Sequence, residues 1–579
     1  MSGLFQTLNV SKSGMFAQQQ YINVTSHNIS NAATEGFSRQ QLILQTARPQ
    51  TIAGGVGQVG TGVTMQSIER TRNQFLDYQV RKETTHQGTY SVRQDYLSEI
   101  EGIFNEPSDT GVSELMSELF DAWQTLSKNP EKSDARTVVS QKAKALADEL
   151  NHTYKKLNDT NVNAVSEIQS NTYEINTILD QINAINKDII TVTVAGNNPN
   201  DLMDRRDLLL DSLSEKFGID TRNQALNGQT VKTTSGDINL VRNVDSDYIS
   251  KFAFVNGITK NDDGTFNIEY YKNGDMTSNE NKVVVEGVSL TDAQYNSLNE
   301  TRMLVTDENG NMQITDNTGK TKVLKVGDDG KIDGSSIKAG ENSLVYFASS
   351  DGTVGGLQSI HKDTESYMNQ LNTLAKGLAY SMNAIHSEGH DKNTPFFVIS
   401  GTTNFDNINA SNIAVNSDIL GNVMLINAGA TSTSGSTDGT RALAIAGIRD
   451  ITLNMANIEG ISYDYDDFVK EHFGIDKAAG DTFTAGNPTM NAVKGGVKIE
   501  GYFKNTINTL GVQSQEATRI VKNQQSLLSG LEERRLATSG VSLDEEAVNL
   551  VQFQHAFQAN AKVISTVDQL LDVVIGLVR

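Results

Sequence analysis

The chain contains no cysteine, which excludes disulfide bonds and thiolate metal sites and suits a secreted chain that must never cross-link. It also lacks long hydrophobic runs. Its apolar stretches stay far below the roughly 20 residues that a membrane-spanning helix needs, so we expect no membrane insertion. The chain does not open with a basic segment, an apolar stretch and a small-residue cleavage site. We therefore expect that any export does not use an ordinary cleaved signal.

Basic residues are scarce relative to acidic ones. The chain has 48 lysines and arginines against 70 aspartates and glutamates, a net charge of −22. Residues 1–60 and 541–579 are nearly balanced, so almost all of this charge falls in residues 61–540. An acidic surface repels nucleic acid, and no basic run is interleaved with aromatic residues. We expect no nucleic-acid partner, and we expect the acidic middle to keep the monomer soluble.

Catalytic motifs are missing as well. There is no Gly-x-Ser-x-Gly sequence. The glycines of Gly55–Gly60 match the dinucleotide-binding spacing, but neither a preceding strand nor a strand–helix–strand context accompanies them, which favours a flexible elbow. Gly319-Lys320-Thr321 resembles the end of a phosphate-binding loop, but Ile314 stands where that loop needs glycine, which favours a hairpin turn. We predict no catalytic residue, no cofactor and a protein that is not an enzyme.

Two patterns could indicate a metal. His386 and His390 stand four residues apart, a spacing that can hold zinc on a helix. Gly389 lies between them where the helix should end, so we expect the pair to cap the helix or face solvent. The acidic turns at 262–264 and 328–330 do not continue into a twelve-residue calcium loop and are interpreted as hairpin turns. We predict no metal site, although the sequence leaves open whether the two histidines bind one.

Both ends of the chain carry apolar residues at seven-residue spacing. Such a repeat keeps one side of a helix turned toward a partner helix. Ser542 and Glu545 predict a capping box that opens the last helix. The N-terminal helix has a partly polar second row, so we expect it to be the weaker partner and to fold only against another helix. The residues predicted to form the paired surfaces are Leu4, Leu8, Met15, Ile22, Ile29, Leu543, Leu550, Phe553, Phe557, Asn560, Ile564, Val567, Leu571 and Val574.

The ends are expected to pair with each other or with neighbouring copies of the chain. Asn560 interrupts the apolar row, and two interpretations are equally favoured: it fixes the register of the helices, or it faces water. The alternative for the whole C-terminal row is an ordinary core helix at the end of a domain. Its length of over thirty residues, and the matching row at the opposite terminus, favour pairing.

A length of 579 residues predicts about three to five domains. Helical periodicity, and alternating residues between turn dipeptides such as Asp263-Gly264, predict a multidomain α+β fold. It has paired N- and C-terminal coiled-coil helices, a long-helix bundle domain and a β-rich inserted outer region. The predicted divisions are 1–62 (terminal helix and connector), 63–218 (bundle), 219–348 (β-rich insertion), 349–394 (bundle helix), 395–496 (loop-rich or β outer region with a short helix near 440–458), 497–540 (bundle helix) and 541–579 (terminal helix).

Two terminal segments carry a family resemblance. Residues 24–39, VTSHNISNAATEGFSR, resemble the N-terminal signature of the bacterial flagellar rod, hook and hook-associated axial proteins. Residues 557–572, FQANAKVISTVDQLLD, resemble the C-terminal signature of the same proteins. Stretches at 201–220, 355–386 and 540–546 resemble the hook-associated protein 1 family within that group, which lies at the hook–filament junction.

The resemblance implies a secreted structural adaptor of the extracellular flagellum. The terminal helices would form the inner layer of a tubular or ring-shaped homo-oligomer, the long helices the next layer, and the insertions would face outward. The implied partners are further copies of the chain, the hook protein, the next hook-associated protein toward the filament, and an export chaperone that binds the C-terminal helix. The chain would be exported by the flagellar type III system and would be a monomer in solution.

Two alternatives remain at this point. One is another axial protein, such as the hook or distal rod protein, although the predicted helices of 70–217 argue against a hook protein. The other is a secreted adhesin or hydrolase carried by the variable middle region.

Overall fold

The computed structural model describes residues 2–51, 57–241, 249–338, 341–390, 394–460, 463–483 and 489–576. These residues form a mixed α/β structure with long helices at both ends and a β-rich middle. The predicted glycine-rich elbow at 55–60 lies partly outside the described residues.

The helices account for most of the structure. Six of them exceed 29 residues, because helical periodicity continues there without an internal proline. The described helices are α1 (Ser2–Asn31), α2 (Gln74–Phe104), α3 (Val112–Lys128), α4 (Ser133–Val194), α5 (Asn200–Lys216), α6 (Asp292–Thr301), α7 (Gly352–Ser387), α8 (Ser417–Gly421), α9 (Thr440–Gly447), α10 (Met455–Ile458), α11 (Tyr465–Phe473), α12 (Ile499–Ser539) and α13 (Leu543–Gly576).

The strands are short and lie mostly between α5 and α7. The described strands are β1 (Gln40–Thr46), β2 (Gln50–Thr51), β3 (Gln58–Val59), β4 (Val63–Arg70), β5 (Ile219–Asn223), β6 (Gln229–Thr233), β7 (Lys251–Lys260), β8 (Phe266–Tyr271), β9 (Lys282–Val288), β10 (Met303–Thr306), β11 (Met312–Asp316), β12 (Thr321–Leu324), β13 (Lys331–Asp333), β14 (Asn342–Leu344), β15 (Phe397–Ile399), β16 (Ile413–Val415), β17 (Thr452–Leu453) and β18 (Val497–Lys498).

The chain divides into two compact units. The first contains Met1–Thr89, Gln169–Gly355 and Lys522–Arg579, and the second contains Tyr90–Ile168 and Gly356–Val521. The first unit therefore brings both termini and the β-rich middle together, although almost the whole chain separates the two ends in sequence.

The main sheet of the first unit has eight strands. Its order is β12-β11-β10-β7-β8-β9-β13, with β14 also paired to β11, and all pairs are antiparallel except β13 with β9. Alternate residues of β8 and β9 are buried, and Ile268, Tyr270, Val283 and Val285 lie in its core. One face of the sheet is thus packed against its own core, as the alternating sequence predicts.

Tight turns connect these strands at the predicted dipeptides. Gly264, Gly274, Gly310 and Gly330 have positive φ, between 72° and 83°, which residues with a side chain rarely adopt. The dipeptide Asn227-Gly228 differs, because Asn227 itself takes the left-handed conformation and Gly228 does not.

The second unit is built around buried aromatic residues. Trp123 is fully buried on α3, with its ring centroid 5.2 Å from that of Phe396 and 6.3 Å from that of His386. Trp123 is the single tryptophan of the chain, and it packs in the core of this unit. Around 440–458, where one short helix is predicted, the structure has two, α9 and α10, separated by the short strand β17.

Strands β1 and β4 were not predicted. They pair antiparallel from Gln40 opposite Arg70 to Thr46 opposite Val63, directly after the N-terminal helix. Their sequences are rich in glutamine and threonine and lack a clean apolar alternation, so the hydrophobic pattern gives little indication of a hairpin.

Candidate assembly site at the paired terminal helices

The two terminal helices lie against each other in the first unit, and three contacts define their register. Gly14 lies against the side chain of Asn560, the ring of Tyr21 stacks on that of Phe553 at 4.5 Å, and the amide of Asn28 donates to the carboxylate of Glu546 at 3.2 Å. The three positions on α1 rise by seven while those on α13 fall by seven. The helices are therefore antiparallel, and their contacts repeat every seven residues.

The residues of the predicted apolar rows are only partly buried in the described structure. On α13, Val567 is 4% exposed, and the other predicted residues from Leu550 to Val574 are half-buried. The predicted residues of α1 are half-buried too, at Leu4, Leu8, Met15, Ile22 and Ile29. Two helices alone thus leave part of each row open to solvent.

Leu543 is placed differently from the prediction. It is the first residue of α13, its side chain is 54% exposed, and the row that faces α1 begins at Glu546 instead. The N-cap beside it forms in part, since the backbone N–H of Glu545 donates to the Ser542 hydroxyl at 3.4 Å.

Asn560 faces α1 and not bulk water. A Cβ atom added at Gly14 would lie 3.0 Å from the Asn560 Oδ1 atom, so the glycine leaves the space that the amide fills. The Nδ2 atom of Asn560 donates to the carbonyl of Ala556 at 3.0 Å. The polar interruption in the C-terminal row is therefore matched by the smallest residue in the N-terminal one.

A polar junction holds the C-terminal end of α1 to the start of α13. Glu546 is 2% exposed, and its carboxylate accepts from the Nε atom of Arg39 at 2.8 Å and from Asn28. Asn28 also makes two 2.9 Å hydrogen bonds with the backbone of Gln40. The Arg39 N–H donates to the Ser539 carbonyl at 2.8 Å, which joins the first strand to the end of α12.

The same junction extends to α5 through a second set of buried charges. Asp204 accepts from both the backbone N–H and the hydroxyl of Ser38, at 2.9 and 2.7 Å. Arg70 bridges Asp204 and Asp207 at 2.8 and 2.6 Å. Burial alone would raise the pKa of Asp207, but the guanidinium groups of Arg72, Arg70 and Arg81 lower it to about 2.

Sequence reasoning singled out none of these polar residues as site residues. Asn28, Ser38 and Arg39 lie inside the N-terminal signature, Asp204 and Asp207 inside the stretch around 201–220, and Glu546 inside that at 540–546. The signature segments are the sequence feature that could have identified these residues, because residues of the segments meet in one junction although they are up to 518 positions apart.

The remaining surface of the helix pair is unusually apolar. Large hydrophobic side chains that are at least 40% exposed stand on both helices. They are Phe5, Phe16, Leu543, Val548, Val551, Val563, Leu570, Val573 and Ile575. Exposed apolar surface of this extent on a long helix is typical of a region that packs against another molecule.

The histidine pair does not have the predicted environment. His386 is fully buried, its Nδ1 atom lies 2.9 Å from the Thr394 carbonyl, and its Nε2 atom accepts from the backbone N–H of Asn427 at 2.9 Å. The expectation that it caps the helix or faces solvent is therefore wrong. Burial lowers the pKa of His386 to about 3, and neither ring nitrogen offers a free lone pair to a metal.

Other patterns weighed in the sequence are turns. Gly319 has a φ of 79° in the turn from Asp316 to Lys320, as expected for a hairpin and not for a phosphate loop. Among the described residues, no group of three or more potential ligand side chains is arranged to hold a metal ion. In the same part of the chain, no helix combines the length and the hydropathy that a bilayer crossing requires.

Comparisons with known proteins match both ends and the helical region. Residues 8–37 match the model for flagella basal body rod proteins, residues 532–577 that for the C-terminal region of the FlgEFG basal body rod proteins, and residues 97–290 that for the helical domain of the flagellar hook-associated protein FlgK. The two terminal matches cover α1 and α13, the helices that form the pair.

Full-length relatives agree with these matches. The chain is 27% identical to flagellar hook-associated protein 1 of Bacillus subtilis over 100% of its own length and 99% of the relative's, and 23% identical to the Escherichia coli protein of the same name over 98% and 99%. The flagellar hook junction protein FlgK of Burkholderia pseudomallei has a similar fold, with a TM-score of 0.50 at 12% identity over 80% of this chain and 100% of that one. These findings confirm the family resemblance of the sequence: along its whole length the chain is similar to flagellar hook-associated protein 1.

Proposed function

We propose that this chain is a non-enzymatic adaptor at the hook–filament junction of an extracellular bacterial flagellum, and that it assembles through its terminal helices. The observation that carries the proposal is the antiparallel pair of α1 and α13. Its contacts repeat every seven residues, and its outer surface keeps large apolar side chains exposed. The similarity to flagellar hook-associated protein 1 supplies the flagellar context.

The helix pair is an incomplete coiled coil in this proposal. Half-buried residues such as Phe557 and Ile564 pack within the chain, while the exposed Val551 and Val563 pack against helices of neighbouring copies. A two-helix contact can cover only one side of each helix, so further copies are needed to remove the remaining apolar surface from water. Asn560 fixes the register, because only Gly14 leaves room for its amide.

The proposed partners are those that the family resemblance implies. In the assembly the chain contacts copies of itself, the hook protein on one side and the next hook-associated protein toward the filament on the other. Before export by the type III system, a chaperone covers α13, whose Val548 and Val573 are both more than 60% exposed. The net charge of −22 helps to keep the monomer in solution until it is incorporated.

A pair of matched substitutions tests this proposal. Val551→Asp places a charge on the exposed side of α13, and Val551→Leu keeps an apolar side chain at the same position. Both purified monomers should melt like the wild type, because Val551 is not in the core. In cells that rely on the variant chain, Val551→Asp should leave hooks without filaments and release filament protein into the medium, since an unpaired charge is costly in an apolar contact.

Val551→Leu should support normal filaments in the same cells. Secreted protein is measured for both variants, so that a defect in export is distinguished from a defect in assembly. Val563→Asp repeats the test at a second exposed position of the helix. Normal filaments in cells that carry Val551→Asp or Val563→Asp would contradict the proposal.

A further inference from the structure

The first unit contains a cavity of about 360 Å³ whose wall is rich in arginine. It lies where the start of α2, the middle of α5 and the end of β5 come together. Four arginines line it, Arg70, Arg72, Arg81 and Arg206, against two carboxylates. A cavity with an excess of cations is unusual in a chain whose net charge is −22.

Three of these arginines have structural partners. Arg70 contacts Asp207 at 2.6 Å, the Nε atom of Arg72 contacts Asp77 at 2.8 Å, and that of Arg81 contacts Asp211 at 2.7 Å. These pairs hold β4 and α2 against α5. They account for the positions of these three side chains. They do not account for the position of the fourth, Arg206.

Arg206 is buried without a carboxylate of its own. It is 3% exposed, and its Nη1 atom donates to the side chain of Asn186 at 2.9 Å and to the carbonyl of Asn227 at 2.8 Å, both of which are neutral. Its Nε atom has no acceptor among the described residues, and no carboxylate of these residues lies within 4.0 Å of its guanidinium. A buried guanidinium without a counterion is costly unless an anion compensates it.

The other arginines keep N–H groups available on the same cavity. Within the described part of the chain, Nη2 of Arg70, Nη2 of Arg72 and Nη1 of Arg81 donate to no protein acceptor. Their side chains are only 8–16% exposed. Planar guanidinium groups of this kind match the oxygens of phosphate and carboxylate.

The electrostatics of the wall agree with this geometry. Burial should raise the pKa of Asp207, which faces the cavity, but the surrounding arginines lower it to about 2. Burial, together with the nearby charges of Arg70 and Arg81, lowers the pKa of Arg206 to about 10. The carboxylate of Asp207 acts in the opposite direction. Asp207 therefore stays ionised, and its carboxylate is the one charge that offsets the burial of Arg206.

We propose that this cavity binds one compact oxyanion, a phosphate or a carboxylate group, through Arg206 and the free N–H groups of Arg70, Arg72 and Arg81. The anion would supply the countercharge that Arg206 lacks. This inference does not depend on the assembly role of the terminal helices.

The test compares two adjacent arginines of α5. Arg206 lines the cavity, whereas Arg205 is exposed and does not. Isothermal titration calorimetry of the full chain with sodium phosphate, at an ionic strength held constant with sodium chloride, should give saturable binding to one site. Arg205→Gln should bind within about twofold of the wild type, and Arg206→Gln roughly tenfold more weakly or not at all, since charged hydrogen bonds to the anion are lost.

A second variant keeps the test valid if Arg206→Gln does not fold. Gln74 is exposed and lines the cavity, and its Oε1 atom accepts from the side-chain amide of Asn223 at 3.1 Å. A glutamate at this position keeps an oxygen that can accept the same hydrogen bond. Gln74→Glu should therefore leave the melting temperature unchanged. It should weaken phosphate binding, because the new carboxylate forms ion pairs with the arginines that would otherwise bind phosphate.

Two further measurements identify the source of the oxyanion. Binding of phosphate or acetate without any change in sedimentation assigns the cavity to a free anion. Self-association that phosphate disrupts and that Gln74→Glu abolishes assigns it to an acidic side chain of a second copy. A wild-type chain that binds neither anion saturably, or binding that Arg206→Gln and Gln74→Glu both leave unchanged, would overturn the proposal.

Discussion

Two adjacent glutamates at the start of α13 should differ sharply in their contribution to the helix pair. Glu546 is 2% exposed, and it accepts from Arg39 at 2.8 Å and from Asn28 at 3.2 Å. Glu545 approaches the same arginine at 3.4 Å, but its side chain is 67% exposed. The two residues share a helix turn, a charge and a partner, so burial is the main difference between them.

The expected magnitudes follow from that difference. Glu546→Ala removes two hydrogen bonds to a buried carboxylate, one from the Arg39 guanidinium and one from the Asn28 amide, a loss of about 3 kcal/mol. Glu545→Ala removes an exposed ion pair, which contributes at most about 0.5 kcal/mol. The first change should mainly open the terminal pair, because Arg39 and Asn28 tie α1 and β1 to α13.

Hydrogen exchange measured by mass spectrometry separates the two outcomes. In Glu546→Ala, amide protection in α1 and α13 should fall roughly a hundredfold, the equivalent of about 3 kcal/mol, while the second unit is unaffected. In Glu545→Ala, protection of both helices should stay near the wild-type level. Equal effects of the two substitutions would refute the argument that the buried junction, and not surface charge, holds the pair.

Three further predictions address other parts of the molecule. The pKa of Asp207 is lowered to about 2, so its charge stabilises the first unit above about pH 4, and this contribution is lost as the pH falls toward 2. In denaturant titrations at pH 7, Asp207→Asn should lower the free energy of unfolding by about 2 kcal/mol, and the stability of the variant should depend less on pH in the acid range. Gly14→Val should lower the free energy that stabilises the helix pair by about 1–2 kcal/mol, because the new side chain meets Asn560. In a double-mutant cycle Asn560→Ala should restore most of that loss, and additive effects of the two substitutions would contradict the contact. His386 has a pKa of about 3, so nuclear magnetic resonance should show a neutral ring down to about pH 4, and a ring that titrates near pH 6.5 would contradict its burial. The second unit should also lose stability as the pH falls below about 6.5, because the unfolded chain then takes up a proton that the folded chain does not.

The sequence predicts the elements whose signal is periodic. The seven-residue rows identify α1 and α13, and turn dipeptides such as Asp263-Gly264 identify the hairpins of the middle region. These features follow from local rules, because a helix buries one stripe and a tight turn needs positive φ.

The polar junction could not be derived in this way. Its residues, such as Asn28, Asp204 and Glu546, are hydrophilic and distant in sequence, so periodicity carries no information about their partners. Leu543 shows the opposite limit, since it continues the apolar row in sequence but lies where the helix begins and is 54% exposed. His386 was judged from its position at a helix end, whereas the surrounding chain buries it.

The most direct test of the assembly role is whether the exposed side of α13 becomes covered in the flagellum. The chain has no cysteine, so Val551→Cys introduces a single thiol at a position that is 52% exposed, and Asp262→Cys provides a control in an exposed turn of the β-rich region. Maleimide labelling rates are compared between the purified monomer and isolated flagella. We expect the thiol of the Val551→Cys variant to react at least about tenfold more slowly in flagella, because neighbouring helices cover it, while the control thiol keeps its rate. Equal reactivity of the α13 thiol in the two states would contradict the proposal that the terminal helices build the assembly.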